Sequence, residues 1–116
     1  MLLNLSNHPF TNWSELQKTN AIEQYHEVID IPFPHIDPNW SSDEVLLLVD
    51  EYVSKVMLMP PATLHVMGEL TFVFYFVEQC KAIGIPCVAS TTERIVQERD
   101  GQKVSTFRFV KFRPYF

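Results

Sequence analysis

Short apolar runs alternate with longer segments of helical period along this chain, and the alternation predicts its elements. Residues 2–6 read as a strand; Leu2, Leu3 and Leu5 without clean alternation suit a strand covered on both faces. Asn12 with Glu15 three residues later predicts a helix N-terminus, and that helix runs to about Tyr25. Glu27–Ile31 forms a second strand. Pro32, Pro34 and Pro38 then force an extended connection. Ser41-Ser42-Asp43-Glu44 is a capping box, followed by Val45, Leu48, Val49, Tyr52, Val53 and Val56 on one helical face until Pro60-Pro61.

Residues 63–67 make a third strand. Leu70–Val77 has strong β-propensity, but Gly84 stands where a helix C′ residue belongs, immediately before a new strand over 85–90, so 70–83 reads as a helix. That helix is apolar on most sides and needs cover on more than one face. Arg94–Arg99 and Lys103–Phe112 flank Asp100-Gly101, a pair suited to a type I′ hairpin. The sum is an α/β fold: a Rossmann-like three-layer sandwich with a mainly parallel sheet, strand order 2-1-3-4, and a C-terminal β-hairpin extending the edge.

At 116 residues the chain makes one domain, spanning 1–116. Hydrophobic residues are 47% of the total, enough for a packed core rather than disorder. A net charge of −5 argues against a nonspecific duplex-DNA binder, which needs a basic face. Cys80 and Cys87, outside any Cys-x-x-Cys pair and in apolar surroundings, read as buried thiols of a reducing compartment. Without a signal-peptide pattern or a run long enough to cross a membrane, the expected location is the cytoplasm.

Three strand-like runs end in polar clusters, and parallel strands would bring these clusters to one edge of the sheet. Ser6-Asn7-His8 follows the first strand: Ser6 and Asn7 can hydrogen-bond a ligand, and His8 can act as acid, base or cation. A plain loop before Pro9 has the same composition. Gly68-Glu69-Leu70-Thr71 enters a helix whose amides favour an anion, with Gly68 allowing close approach and Thr71 in the first turn. Glu69 would repel phosphate and could instead accept from a ribose hydroxyl or cap the helix. Ser90, Thr91, Thr92, Glu93 and Arg94 form the densest polar run, suited to phosphate or ribose contacts, with Arg94 able to grip a phosphate bidentately.

Other constellations are weaker. His8, His26, His35 and His65 have no metal-ligand spacing, so neither a metal nor a cofactor is expected. His65 alternates within a strand and reads as a packed core residue with one hydrogen bond. Ser6, His8 and Asp30 compose a triad on paper, but no nucleophile elbow supports it. Arg108, Lys111 and Arg113, interleaved with Phe107, Phe109 and Phe112, could bind single-stranded nucleic acid, though a solvated strand face over a Phe-rich core explains them better.

The start Leu3-Asn4-Leu5-Ser6-Asn7-His8-Pro9, the turn Met67-Gly68-Glu69 and the strand end Ala89-Ser90-Thr91-Thr92-Glu93-Arg94 resemble the small CRISPR-associated proteins with a CARF-like Rossmann fold. The resemblance implies a homodimer that binds a cyclic oligoadenylate across its two-fold, in antiviral defence. Some such proteins cut the ring without metal, by attack of a ribose 2′-hydroxyl on the adjacent phosphate; others only bind it. Carried onto this chain, His8, Ser90 and Arg94 are the catalytic candidates. Ser6, Asn7, Gly68, Glu69, Thr71, Thr91 and Thr92 are the ligand-binding ones. A sensor or sponge with the same site, or an interaction module without a ligand, are the alternatives.

Overall fold

A computed structural model describes residues 1–116 as an α/β fold with three helices and one five-stranded mixed sheet. The strands are β1 Leu2–Ser6, β2 Val28–Pro32, β3 Thr63–Met67, β4 Cys87–Arg99 and β5 Gln102–Pro114. Their order is β2-β1-β3-β4-β5; the first four run parallel, and β4 and β5 form an antiparallel hairpin. The helices are α1 Glu15–Tyr25, α2 Ser42–Met57 and α3 Leu70–Ile83.

Strand alternation divides the core in two. Leu3, Leu5, Leu64, Val66 and Cys87 face α2 and α3, where they meet Val49, Val53, Phe72 and Phe76. Leu2 and Val88 face the other way, toward Trp13, Ala21 of α1, and Phe109 and Phe112 of β5. The parallel strands are therefore covered on both faces, which is why β1 is buried at all five positions.

Local chemistry accounts for the helix ends. Ser41 accepts from the amide of Glu44, and the Glu44 carboxylate reaches back to the Ser41 amide, so α2 begins with a capping box. Gly84 closes α3 in the left-handed conformation at φ 78°. The start of α1 differs from expectation. Phe10–Asn12 form a single 3-10 turn, and Ser14 rather than Asn12 caps α1 by accepting from the Gln17 amide. The bond from the Trp13 amide to the Phe10 carbonyl closes that turn, and the chain then restarts as a helix.

The second difference concerns the polar run after residue 89. It is not a loop at the end of a strand. β4 continues unbroken to Arg99, with a register shift between Thr91 and Thr92, and pairs with β5 along its length. Pairing with β3 ends at His65–Val88, and beyond it β4 belongs to the hairpin alone. Asp100 and Gly101 both have positive φ, as a type I′ turn requires. The hairpin projects as an arm. The radius of gyration is 15.9 Å, against about 13 Å for a compact 100-residue domain.

α3 buries Phe72, Val73, Phe76 and Cys80 but leaves Leu70, Phe74 and Ile83 exposed. Phe72 sits fully buried against Phe33, Tyr52 and Phe76. Phe72→Ala should therefore lower unfolding stability by about 3–5 kcal/mol. Phe107→Ala, on the exposed arm, should change it by less than about 0.5 kcal/mol. Urea denaturation followed by circular dichroism checks both.

Candidate functional site

The centre of the molecule contains a polar chain where a hydrophobic one would be expected. Asn4 on β1 and His65 on β3 are paired neighbours in the parallel register, and both are buried. Their side chains point to the α1 face, between the Leu2 layer and the carboxyl edge. The Asn4 oxygen lies 2.8 Å from His65 Nδ1, and His65 Nε2 lies 2.7 Å from the Ser90 hydroxyl on β4. Gln17 of α1 donates to that hydroxyl at 2.9 Å. On the other side, the Asn4 amide donates to Asp30 at the end of β2, at 2.8 Å, and to the His8 carbonyl at 2.9 Å.

The protons in this chain follow from its ends. A carboxylate and a carbonyl only accept, so the Asn4 nitrogen faces them and its oxygen faces His65. That oxygen cannot donate, so His65 carries its proton on Nδ1 and presents a bare Nε2 to Ser90. The Ser90 hydroxyl then donates to Nε2 and accepts from Gln17. Trp13 packs edge-on against the imidazole, and Phe112 does so from β5. Burial among these groups pushes the His65 pKa down to about 4.

The Ser6-Asn7-His8 turn is knotted by the same network. The His8 carbonyl accepts from Trp13 Nε1 at 3.0 Å as well as from Asn4, and the Ser6 hydroxyl lies within 3.0 Å of it. Ser6 also reaches the Asn4 oxygen at 2.8 Å. The Asp30 carboxylate accepts from the Phe10 amide and so holds the following turn. No buried side-chain polar atom is left without a partner.

An open cavity of about 560 Å³ lies against this chain at the carboxyl edges of β1, β3 and β4. Ser6, Asn7, His8, Gly68, Ser90 and Thr92 of the sequence candidates line it. The remaining wall comes from the loop before α1, from Gln17, His65 and Met67, and from Phe107 and Phe109 of the hairpin. No Asp, Glu, Lys or Arg is among its lining residues.

The other candidates are placed elsewhere. Arg94 lies on the projecting arm, where Nε and Nη2 donate to the Ser105 hydroxyl at 3.2 and 2.9 Å. β4 continues where a loop was expected and carries Arg94 away from the sheet edge. Thr91 bridges the hairpin, its hydroxyl bonding both the amide and the carbonyl of Lys111 at the register shift. Glu69 turns back to cap α3, accepting from the amides of Thr71 and Phe72 at 3.1 and 2.8 Å. Partial burial raises its pKa, but these amide bonds and one from the Thr71 side chain outweigh that and lower it. The helix N-terminus expected to hold an anion is thus filled by the protein's own carboxylate, and Thr71 sits within that cap.

Gly68 also serves a different partner from the one expected. A Cβ there would run into the ring of Phe33, which packs on Phe72. The close approach is to the connection after β2. Glu93 pairs with Arg108 at 2.6 Å on the solvated face of the hairpin.

Sequence reasoning passed over Asn4, Gln17 and Trp13 and gave His65 a single hydrogen bond. Asn4 and His65 are the polar interruptions of two central apolar strands, at equivalent positions before the strand ends. That coincidence was the available signal.

With this geometry in hand, comparison with known proteins gives one family. The chain matches the uncharacterized protein MJ1673 family over residues 1–113 and belongs to it. No curated protein and no solved structure matches it.

The neutral, buried His65 has a consequence for stability. The unfolded chain takes up a proton near pH 6.5 that the folded one refuses until about pH 4. Its contribution is complete above pH 6.5 and is lost as pH falls through that window, in total about 3 kcal/mol. His65→Gln should start less stable at neutral pH. The stability difference between it and the wild type should shrink between about pH 7 and about pH 4.5, as read from urea midpoints.

Proposed function

We propose that the chain is a Rossmann-like, CARF-like domain of a CRISPR-associated protein that binds a cyclic oligoadenylate in the cytoplasm as a homodimer. The observation that carries this reading is the cavity itself. It gathers the turns after three neighbouring parallel strands, at the place where the connection from β2 to β3 crosses to the opposite side of β1. Open α/β sheets bind ligands at such reversals.

The lining favours a nucleoside. Ser6, Asn7, Asn12, Ser14, Gln17, Ser90 and Thr92 supply donors and acceptors, while Phe107 presents an exposed ring at the wall. Base edges and ribose hydroxyls suit such groups, and an aromatic ring can stack on a base. Adjacent phosphates would point to solvent, because no lining residue carries a fixed positive charge. The exposed Leu70 and Phe74, one turn apart on α3, supply an apolar surface for a second subunit. A two-fold dimer matches a two-fold ring.

Isothermal titration with cyclic tri-, tetra- and hexa-adenylate, with linear oligoadenylate as control, tests the reading. One ring size should bind. Phe107→Ala should weaken it by about 5- to 150-fold, the range for losing one base stack. Arg94→Ala and Arg108→Ala should leave affinity unchanged. Affinity should also vary little between about 50 and about 200 mM salt, unlike that of proteins that neutralise phosphates. Failure of every ring to bind would return the chain to the class of interaction modules.

A further inference from the structure

We infer that the outer edge of the hairpin arm is a pairing surface for a second copy of this chain, β5 lying antiparallel to β5 about a two-fold axis at Ser105. This pairing needs neither the ligand nor the α3 surface.

β5 is the last strand of the sheet, and its only strand neighbour is β4. No backbone hydrogen bond from outside the hairpin reaches residues 102–110. The turn decides which groups are left free. Asp100 and Gly101 form a two-residue loop, so Arg99 and Gln102 exchange both of their backbone bonds. Alternation then runs down the ladder. Val104, Thr106 and Arg108 bond to Gln97, Ile95 and Glu93, while Lys103, Ser105 and Phe107 turn their N–H and C=O groups away from β4. Those outward groups are a template for one more strand.

Side chains and charge select the strand that fits. β5 carries Lys103, Arg108, Lys111 and Arg113 and no carboxylate. Cations of this kind guard an edge against random pairing. A two-fold at Ser105 avoids setting any of them against another. Lys103 then lies beside the partner's Phe107, Val104 beside the partner's Thr106, and Gln102 beside the partner's Arg108. Phe107, with 70% of its surface exposed, gains the methylene stem and ammonium of the partner's Lys103 on its ring. Val104, also exposed, gains a β-branched neighbour. Other registers lose these matches. A two-fold at Thr106 sets Val104 against the Arg108 guanidinium, and one at Arg108 sets two guanidinium groups face to face.

Symmetry favours β5 over the free edge of β4. A β4-to-β5 pairing is heterologous and propagates without closing, whereas β5 against β5 is isologous and closes. The edge of β4 also turns toward the end of β3 at its base, where the Ser90 amide meets the Met67 sulfur. β5 has no such obstruction. The joined arms would form one continuous sheet from two molecules. Phe107 is also part of the cavity wall, so pairing would steady that wall from outside.

Cross-linking and sedimentation test the pairing. Residues that exchange both backbone bonds across antiparallel strands have Cα atoms about 5.5 Å apart, within disulfide range. Ser105→Cys should therefore link two chains in an oxidised glutathione buffer. Thr106→Cys should not, because its two copies would stand about 8 Å apart, beyond that range. The native Cys80 and Cys87 are buried and should leave the wild type unlinked. Ser105→Pro removes an outward N–H and leaves the bonds to β4 in place. It should weaken association by about tenfold or more, since both copies lose a central hydrogen bond. In sedimentation, the mass should fall to half that of the wild type, with an unchanged circular dichroism spectrum. Val96→Pro, on the free edge of β4, should leave the mass as it was. Failure of Ser105→Cys to link, or linking of Thr106→Cys in its place, overturns the register. A monomeric wild type overturns the pairing, and so does an assembly that survives Ser105→Pro but is lost in Phe74→Asp on α3.

Discussion

The hydrogen bond between Asn4 and His65 is the constraint on which the rest of the site depends. Two polar side chains sit fully inside the sheet's α1 face, where each would cost about 1–3 kcal/mol if left unpaired. They are tolerable only because β1 and β3 run parallel in a register that sets them side by side. A slip of either strand by one residue would turn its polar side chain onto the α2–α3 face, among leucines and valines, and leave the other without its partner. The pair therefore specifies the register of the central strands. It also passes that order outward, through Asn4 to Asp30 and the His8 turn and through His65 to Ser90 and Gln17. One buried contact thus ties together five segments of the chain: β1 with its turn, α1, β2, β3 and β4.

The electrostatics of the site follow from how the protein has used its own charged groups. Glu69 fills the α3 N-terminus, Arg94 is bonded to Ser105, and Glu93 pairs with Arg108. Asp30 is engaged by Asn4 and the Phe10 amide. What faces the cavity is neutral and directional. A wall of this kind selects by the match of donors and acceptors rather than by attraction at a distance, and it sits in a chain of net charge −5.

The strand and helix pattern was legible because each element carries its own punctuation: the capping box at Ser41, Gly84 after α3, and Asp100-Gly101 at the hairpin. α3 was the hardest case. There the position of Gly84 decided correctly against the β-propensity of Leu70–Val77. The α1 start was misplaced because Asn12 and Ser14 are both good caps, and only the 3-10 turn at Phe10–Asn12 selects the second. The end of β4 was misplaced for a different reason. Ser90 to Glu93 is polar enough for a loop, but pairing with β5 satisfies the backbone without any apolar side chain. The meeting of the first, third and fourth strand ends could be read from topology. The partners within the site could not, because the lone polar residues Asn4 and His65 acquire meaning only when seen as neighbours.

The hairpin ties these levels together. β4 contributes Ser90 while still close to the parallel sheet: its amide donates to the Met67 sulfur at 3.3 Å, where the ladder with β3 has ended. The parting of β4 from β3 leaves room at the strand ends for a cavity. The returning strand supplies the wall through Phe107 and Phe109, and Phe112 behind them closes the base on His65. The C-terminal residues then fasten the arm to the sheet, Tyr115 donating through its hydroxyl to the Val66 carbonyl at 2.6 Å and through its amide to the Cys87 carbonyl. The same continuous strand that removed Arg94 from the site thus makes the site possible. A loop at position 90 would have offered more polar groups, but without a fixed partner strand it would not hold the Ser90 hydroxyl in line with His65.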